Sequence, residues 1–194
     1  MSLGDFYQHF FYITWTLWII VWLVLARNVK VTVRRQAALP RLLNTGLLLC
    51  AAALLCVPGV PVPELSVRFL PGSQWKFWAG LGAALTLVGL LFTVWARIYL
   101  GRNWSGVAAL KADHELVTGG PYRWVRHPIY SGLVLAFAGT AVATGQWRGV
   151  LAVALSLIAV AHRIIIEERF MRQQFGAVYD AYAQRVRALV PGLI

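Results

Sequence analysis

Charged side chains are only 13% of the 194 residues, and the acidic ones are fewest, seven Asp and Glu against 18 Lys and Arg. A soluble domain carries about a quarter charged residues. A 59% hydrophobic chain this poor in charge is therefore excluded from that class and reads as an integral membrane protein. Cysteine is equally sparse. Cys50 and Cys56 lie six residues apart in one apolar stretch, on different sides of a helix, which excludes a disulfide or a metal site. They read as two small packed apolar side chains. The chain has no glycine-rich dinucleotide fingerprint, no internal repeat and no metal-ligand cluster. Its first apolar segment has no basic residues ahead of it, so no cleavable signal peptide is expected. The net charge of +11 comes without any nucleic-acid-binding motif, so no nucleic-acid partner is expected. It fits membrane topology and attraction to anionic headgroups instead.

Long apolar runs dominate what remains. A spanning helix needs about 20 apolar residues, and candidates run over Phe6 to Ala26, Leu42 to Val57, Trp75 to Val94, Ile129 to Thr144 and Gly149 to Ile166. The run Pro58 to Pro63 reads as an extended connection where helix cannot continue. Of the 18 basic residues, 15 fall in the connections after the first and third spans and in the tail after the fifth with its preceding turn, and three in the other two connections. Basic loops stay cytoplasmic. The expected architecture is all-α: one domain over 1–194, a bundle of about five transmembrane helices with a cytoplasmic C-terminal amphipathic helix. The N-terminus lies outside. Residues 1–100 hold three spans, and 101–194 hold two spans and the tail.

Two polar clusters interrupt this pattern. The first is Gly120-Pro121-Tyr122-Arg123-Trp124-Val125-Arg126-His127-Pro128-Ile129-Tyr130-Ser131-Gly132. Pro128 suits the first helical position, where a missing N–H costs nothing. The fourth span then begins at His127-Pro128, and unpaired N–H groups around Ile129 to Ser131 are expected to attract an anion. In isolation, Tyr122, Trp124 and Tyr130 serve equally as an interfacial aromatic belt, with Arg123 and Arg126 as topology anchors. The second cluster closes the fifth span. Arg163 and Glu167 stand at i and i+4 and share a face, while Glu168 points about 100° away. Adjacent carboxylates at a span's end are costly unless wet or paired with a cation. They are either a structural ion pair or a site for a cationic ligand beside an anionic one. His162 lies on another face and reads as a packing residue. Met171, Phe175, Val178, Tyr182, Val186 and Leu189 then recur at steps of three and four, an amphipathic stripe with Gly176 as a possible bend.

Together these residues resemble the isoprenylcysteine carboxyl methyltransferase and phospholipid methyltransferase family of membrane enzymes. The similarity rests on Gly120-Pro121-Tyr122, on Arg126 to Gly132, and on Glu167-Glu168 followed by Phe175-Gly176, Tyr179 and Tyr182. It covers roughly Asn103 to Pro191. The resemblance implies S-adenosyl-L-methionine bound at the cytoplasmic side, without a Rossmann domain, and methyl transfer to a lipophilic acceptor in the bilayer, foremost the carboxylate of an isoprenylcysteine-like lipidated substrate. A phospholipid nitrogen and a thiol sulfur are alternative acceptors. Carried over by position, His114, Glu115, Leu116, Val117, Tyr122, His127, Pro128, Ile129, Tyr130 and Glu167 contact the cofactor. Arg163 meets the acceptor's carboxylate. Around Val107 to Lys111 the chain is shorter than the family pattern. The cofactor's carboxylate suits the helix start near His127 to Ser131, and its ammonium suits Glu167. A carboxylate acceptor needs no base, whereas an amine would need Glu168 or His127. A sterol-type NADPH-dependent reductase and a bis-histidine haem protein are the competing classes. No obligate protein partner is evident.

Overall fold

A computed structural model describes residues 3–27, 29–30, 32–35, 37–57, 62–105, 109–111 and 115–192. The apolar stretches form five helices: α1 (Leu3–Leu25), α2 (Ala38–Cys56), α3 (Trp75–Leu100), α4 (Pro128–Thr144) and α5 (Trp147–Phe175). All but α4 are long and apolar enough to cross a membrane. At 17 residues, α4 spans about 25 Å at the α-helical rise, less than the roughly 30 Å hydrocarbon core. A tight turn at Gly145, in the left-handed region, joins it to α5. Most of the Pro58 to Pro63 run lies outside the described residues.

Two helices outrun their apolar stretches. α3 continues to Leu100 rather than Val94, and α5 continues to Phe175 rather than Ile166. Nothing between 167 and 175 breaks a helix, so Glu167 to Arg172 stay on the helical lattice and their side chains keep a fixed spacing. The helix stops where Gly176 takes φ +51, a conformation open to glycine without a Cβ clash.

That glycine also corrects the expected stripe. The chain restarts as α6 (Ala177–Arg185) on a new phase, burying Tyr179 and Tyr182 and leaving Val178 exposed. Beyond α6 the chain is not helical to Leu189. The Arg126 and His127 N–H groups donate to the Arg187 and Ala188 carbonyls at 2.8 and 3.0 Å. The tail is thus hydrogen-bonded to the segment that starts α4.

α3 and α4 approach closely through small residues, the packing that membrane interiors favour. A Cβ on Gly89 would stand 2.5 Å from the Gly132 carbonyl oxygen, and one on Gly139 would stand 2.5 Å from the Thr86 nitrogen. Backbone atoms cannot swing aside. Gly89→Leu and Gly139→Leu are each expected to cost more than the about 1–3 kcal/mol of ordinary overpacking. Thermal melts in detergent should show this, whereas Gly46→Leu, with nothing within 4 Å of its Cβ, should leave the melt unchanged. α1 joins through indole donors, Trp15 Nε1 to Thr140 Oγ1 at 3.2 Å and Trp18 Nε1 to Thr93 Oγ1 at 2.6 Å. Ala51 and Leu55 of α2 pack with Phe137, Ala141 and Ala152.

A short antiparallel ribbon, β1 (Thr32–Arg35) with β2 (Ala109–Lys111), ties the α1–α2 connection to the α3–α4 connection. The hydropathy pattern does not signal it. Cys50 and Cys56 are exposed on the bundle's outer surface rather than packed inside, because the inward face of α2 is taken by Asn44, Ala51 and Leu55.

Candidate active site

The start of α4 and the end of α5 converge. Pro128 occupies the first helical position after His127, which sets Tyr130 one turn in and facing α5. There the Tyr130 hydroxyl donates to Glu167 Oε1 at 2.6 Å. Arg163 Nε donates to the same oxygen at 2.9 Å from one helical turn back. The Arg163 guanidinium also lies 5.6 Å from the Tyr130 ring centroid, and its Nη2 donates to the Ser105 carbonyl at 3.3 Å. Glu167 is therefore fixed through Oε1. Its Oε2 stands 3.7 Å from His127 Nδ1.

Glu168 does a different job. Turned away from Glu167, it accepts from Arg126 Nε and Nη2 at 2.9 and 2.5 Å and from Arg172 Nη2 at 3.1 Å. His127 Nε2 lies 3.4 Å from the same carboxylate. Arg126 also donates to the Ala183 and Val186 carbonyls, and Ser131 Oγ donates to the Leu189 carbonyl at 2.6 Å. The acidic pair thus divides: Glu167 faces the cavity, and Glu168 fastens α6 and the tail to the base of α4. Arg126, for which a topology anchor is one of two readings from sequence alone, is the centre of that fastening.

Two of the three backbone donors expected to attract an anion at the start of α4 are already taken. The Tyr130 and Ser131 N–H groups both turn back to the His127 carbonyl at 3.0 Å. Capping by that carbonyl occupies these two donors, which an anion there would have to displace.

A cavity of about 330 Å³ opens between these elements, within the range of small-molecule sites. Glu115, Leu116, Val117, Tyr122, His127, Ile129, Tyr130, Arg163 and Glu167 all line it. Pro128 is buried behind the wall, and Glu168 is not among the lining residues. His114 lies outside the described residues. Glu115 is mostly exposed, 3.5 Å from Lys30 Nζ. Tyr122 is buried, receiving the Tyr182 hydroxyl on its carbonyl at 2.6 Å. Burial raises the Tyr122 phenol, helped by the charge of Glu167. Burial also lifts Tyr179, with Glu168 adding to it, and pushes Tyr182 up to about 12 against the opposing Arg126 charge. All three stay protonated donors at neutral pH, so none of them is a base.

Several wall residues escaped the motif reading. Trp18 and Trp22 of α1, Leu48 of α2 and Leu133 of α4 form an apolar side, and Asn103, Trp104 and Ser105 a second rim. Trp18 stacks on Trp22 at 4.8 Å, and Trp22 meets Trp104 edge-on at 5.5 Å. Arg97, buried, donates to the Gly101 carbonyl at 2.8 Å and to that of Leu25, and lies 4.5 Å from the Trp104 ring centroid. The i, i+4 spacing of Trp18 and Trp22 was the available signal.

Known proteins resemble this chain in sequence and in fold. The sequence profile of the phospholipid methyltransferase family matches residues 77–178. The chain belongs to that family. It is 33% identical over 131 residues to protein-S-isoprenylcysteine O-methyltransferase B of Arabidopsis thaliana, covering 64% of this chain and 66% of that one. It is 30% identical over 152 residues to a probable protein-S-isoprenylcysteine O-methyltransferase of Oryza sativa subsp. indica, covering 76% and 80%. Over 70 residues it is 40% identical to methanethiol S-methyltransferase 1 of Bradyrhizobium diazoefficiens, covering 36% and 24%. The solved structure of a eukaryotic intramembrane Ras methyltransferase, the isoprenylcysteine carboxyl methyltransferase, superposes with a TM-score of 0.57 at 23% identity, covering 81% of this chain and 54% of that one. The fold is that of an integral membrane methyltransferase, and this chain is a multi-pass membrane methyltransferase.

Proposed function

We propose that the chain transfers a methyl group from S-adenosyl-L-methionine to the carboxylate of a lipidated, isoprenylcysteine-like acceptor at the cytoplasmic membrane interface. The observation that carries this reading is a carboxylate, Glu167, held by Tyr130 and Arg163 inside a cavity whose other side is tryptophan and leucine. A zwitterionic donor with a purine and a lipophilic acceptor both find matching chemistry there. Glu167 takes the donor's ammonium, and Leu116, Val117 and Tyr122 flank its purine. The His127–Tyr130 turn encloses it, with Pro128 setting the backbone. Arg163 orients the acceptor's carboxylate. Trp18, Trp22 and Leu48 receive its apolar body from the bilayer. The clustering of 15 of 18 basic residues around the α1–α2 and α3–α4 connections and from the second half of α5 onward supports the cytoplasmic orientation.

In the reaction, an acceptor carboxylate oxygen attacks the methyl carbon, the carbon–sulfur bond breaks, and its electron pair remains on sulfur. A negative oxygen and a positive sulfonium become a neutral ester and a neutral thioether. Charge disappears along the path, so placing the two groups in line is the chief contribution the protein makes. No proton has to leave. The site agrees: among the described residues, Glu168 is committed to Arg126 and Arg172, and the buried phenols stay protonated.

The 70-residue identity to a methanethiol S-methyltransferase favours a thiol as the second reading. Membranes containing the chain, given methyl-tritiated donor with N-acetyl-S-farnesylcysteine, phosphatidylethanolamine or methanethiol, separate the readings. The expected result is label on the prenylcysteine that mild alkali releases as methanol, the mark of an ester. Alkali-stable label on the amine or thiol would overturn the carboxylate assignment.

A further inference from the structure

We propose that Asn103 reads the purine of the methyl donor by accepting a hydrogen bond from its exocyclic amine. The inference rests on the S-adenosylmethionine reading above. Asn103 ends the single turn Gly101–Asn103 that follows α3. It is 8% exposed and lines the cavity, yet among the described residues its Oδ1 has no hydrogen-bond partner. A buried acceptor left unpaired is destabilising, and a ligand that supplies the missing donor removes that deficit. The ligand group must be a donor.

The surroundings select which donor. Two residues on, the Ser105 carbonyl is taken by Arg163, so the charged end of the cavity, with Glu167 and Tyr130, lies past Ser105. Leu100, at the end of α3, and Tyr122, whose hydroxyl reaches back to the Ala96 carbonyl at 3.4 Å, line the cavity together with Asn103. Apolar and aromatic walls accept a flat heteroaromatic ring, and with the amino-acid end of the donor at Glu167, the purine is what remains for this end. The α3–α4 connection returns through Leu116 and Val117 to close the same wall. Trp104, next to Asn103, is held under Arg97, which keeps the turn in place. Asn103 is thus a positioning and specificity residue that touches no reacting atom.

The test compares binding of S-adenosylhomocysteine with S-inosylhomocysteine, in which the amine is replaced by a carbonyl, to the purified full chain. The wild type should prefer the adenosyl compound by at least about tenfold, the factor given by 1.4 kcal/mol. Asn103→Leu should bring the ratio near one by weakening the adenosyl compound alone. Asn103→Asp keeps acceptor oxygens at the same reach and has no amide to turn round, so it should keep or raise the preference, and it supplies the answer if the leucine variant does not fold. A ratio near one in the wild type and in Asn103→Asp, or a parallel loss of both ligands in Asn103→Leu, overturns the inference. Failure of the wild type to bind either compound would instead remove the methyl-donor reading beneath it.

Discussion

Glu167→Gln is expected to lower the affinity for S-adenosylmethionine by about 10- to 100-fold or more, because a hydrogen bond to a charged group is worth about 1.5–3 kcal/mol and the ammonium loses its counter-charge as well. Arg163→Ala is expected to leave that affinity within about threefold, since Tyr130 still holds Glu167 at 2.6 Å, and to lower kcat about 100-fold or more through lost alignment of the acceptor. Equilibrium binding and single-turnover methyl transfer on the two variants separate the roles. If Arg163→Ala loses binding and turnover together, the arginine serves only to hold Glu167. If Glu167→Gln binds normally, the ammonium lies elsewhere.

Glu168→Ala is the second large effect, and it should appear in stability rather than chemistry. Its carboxylate is 10% exposed and its partner Arg126 is 12% exposed. Removing one member of a buried pair leaves the other charge stranded, at about 3–5 kcal/mol. The stranded Arg126 also holds the Ala183 and Val186 carbonyls, so α6 and the tail should loosen as a unit. Faster hydrogen exchange at the Arg126 and His127 amides, which donate to the tail, would report it. A base at Glu168 would instead show lost turnover with an unchanged melt and unchanged exchange.

The location of the site could be read from residue types because polar side chains are rare in this chain. Tyr130, Arg163 and Glu167 are conspicuous within apolar stretches, and burying them without partners would be costly, so their meeting follows from the topology. Other features could not be read that way. Trp18 and Trp22 look like any aromatic pair in a spanning helix, and only the approach of α1 to α3 makes them a cavity wall. The donors at the start of α4 looked free, but whether a preceding carbonyl caps them depends on the backbone at His127, φ −124 and ψ 60. Gly176 was visible as a bend, but its positive φ resets the helical phase, so the expected stripe breaks at exposed Val178 although its Tyr182 is buried. The split between Glu167 and Glu168 was legible in direction from the 100° step, whereas two partners of Glu168, Arg126 and His127, come from 42 and 41 residues earlier, beyond any local pattern.

The central claim is that one cavity between the start of α4 and the end of α5 holds the methyl donor. An experimental structure of the chain in lipid nanodiscs with S-adenosylhomocysteine tests it most directly. The account predicts the ligand's amino group within hydrogen-bonding distance of Glu167 and its purine against Leu116, Val117 and Tyr122. Density for the ligand at any other place on the bundle, with Glu167 still closed on Tyr130 and Arg163 alone, would contradict it.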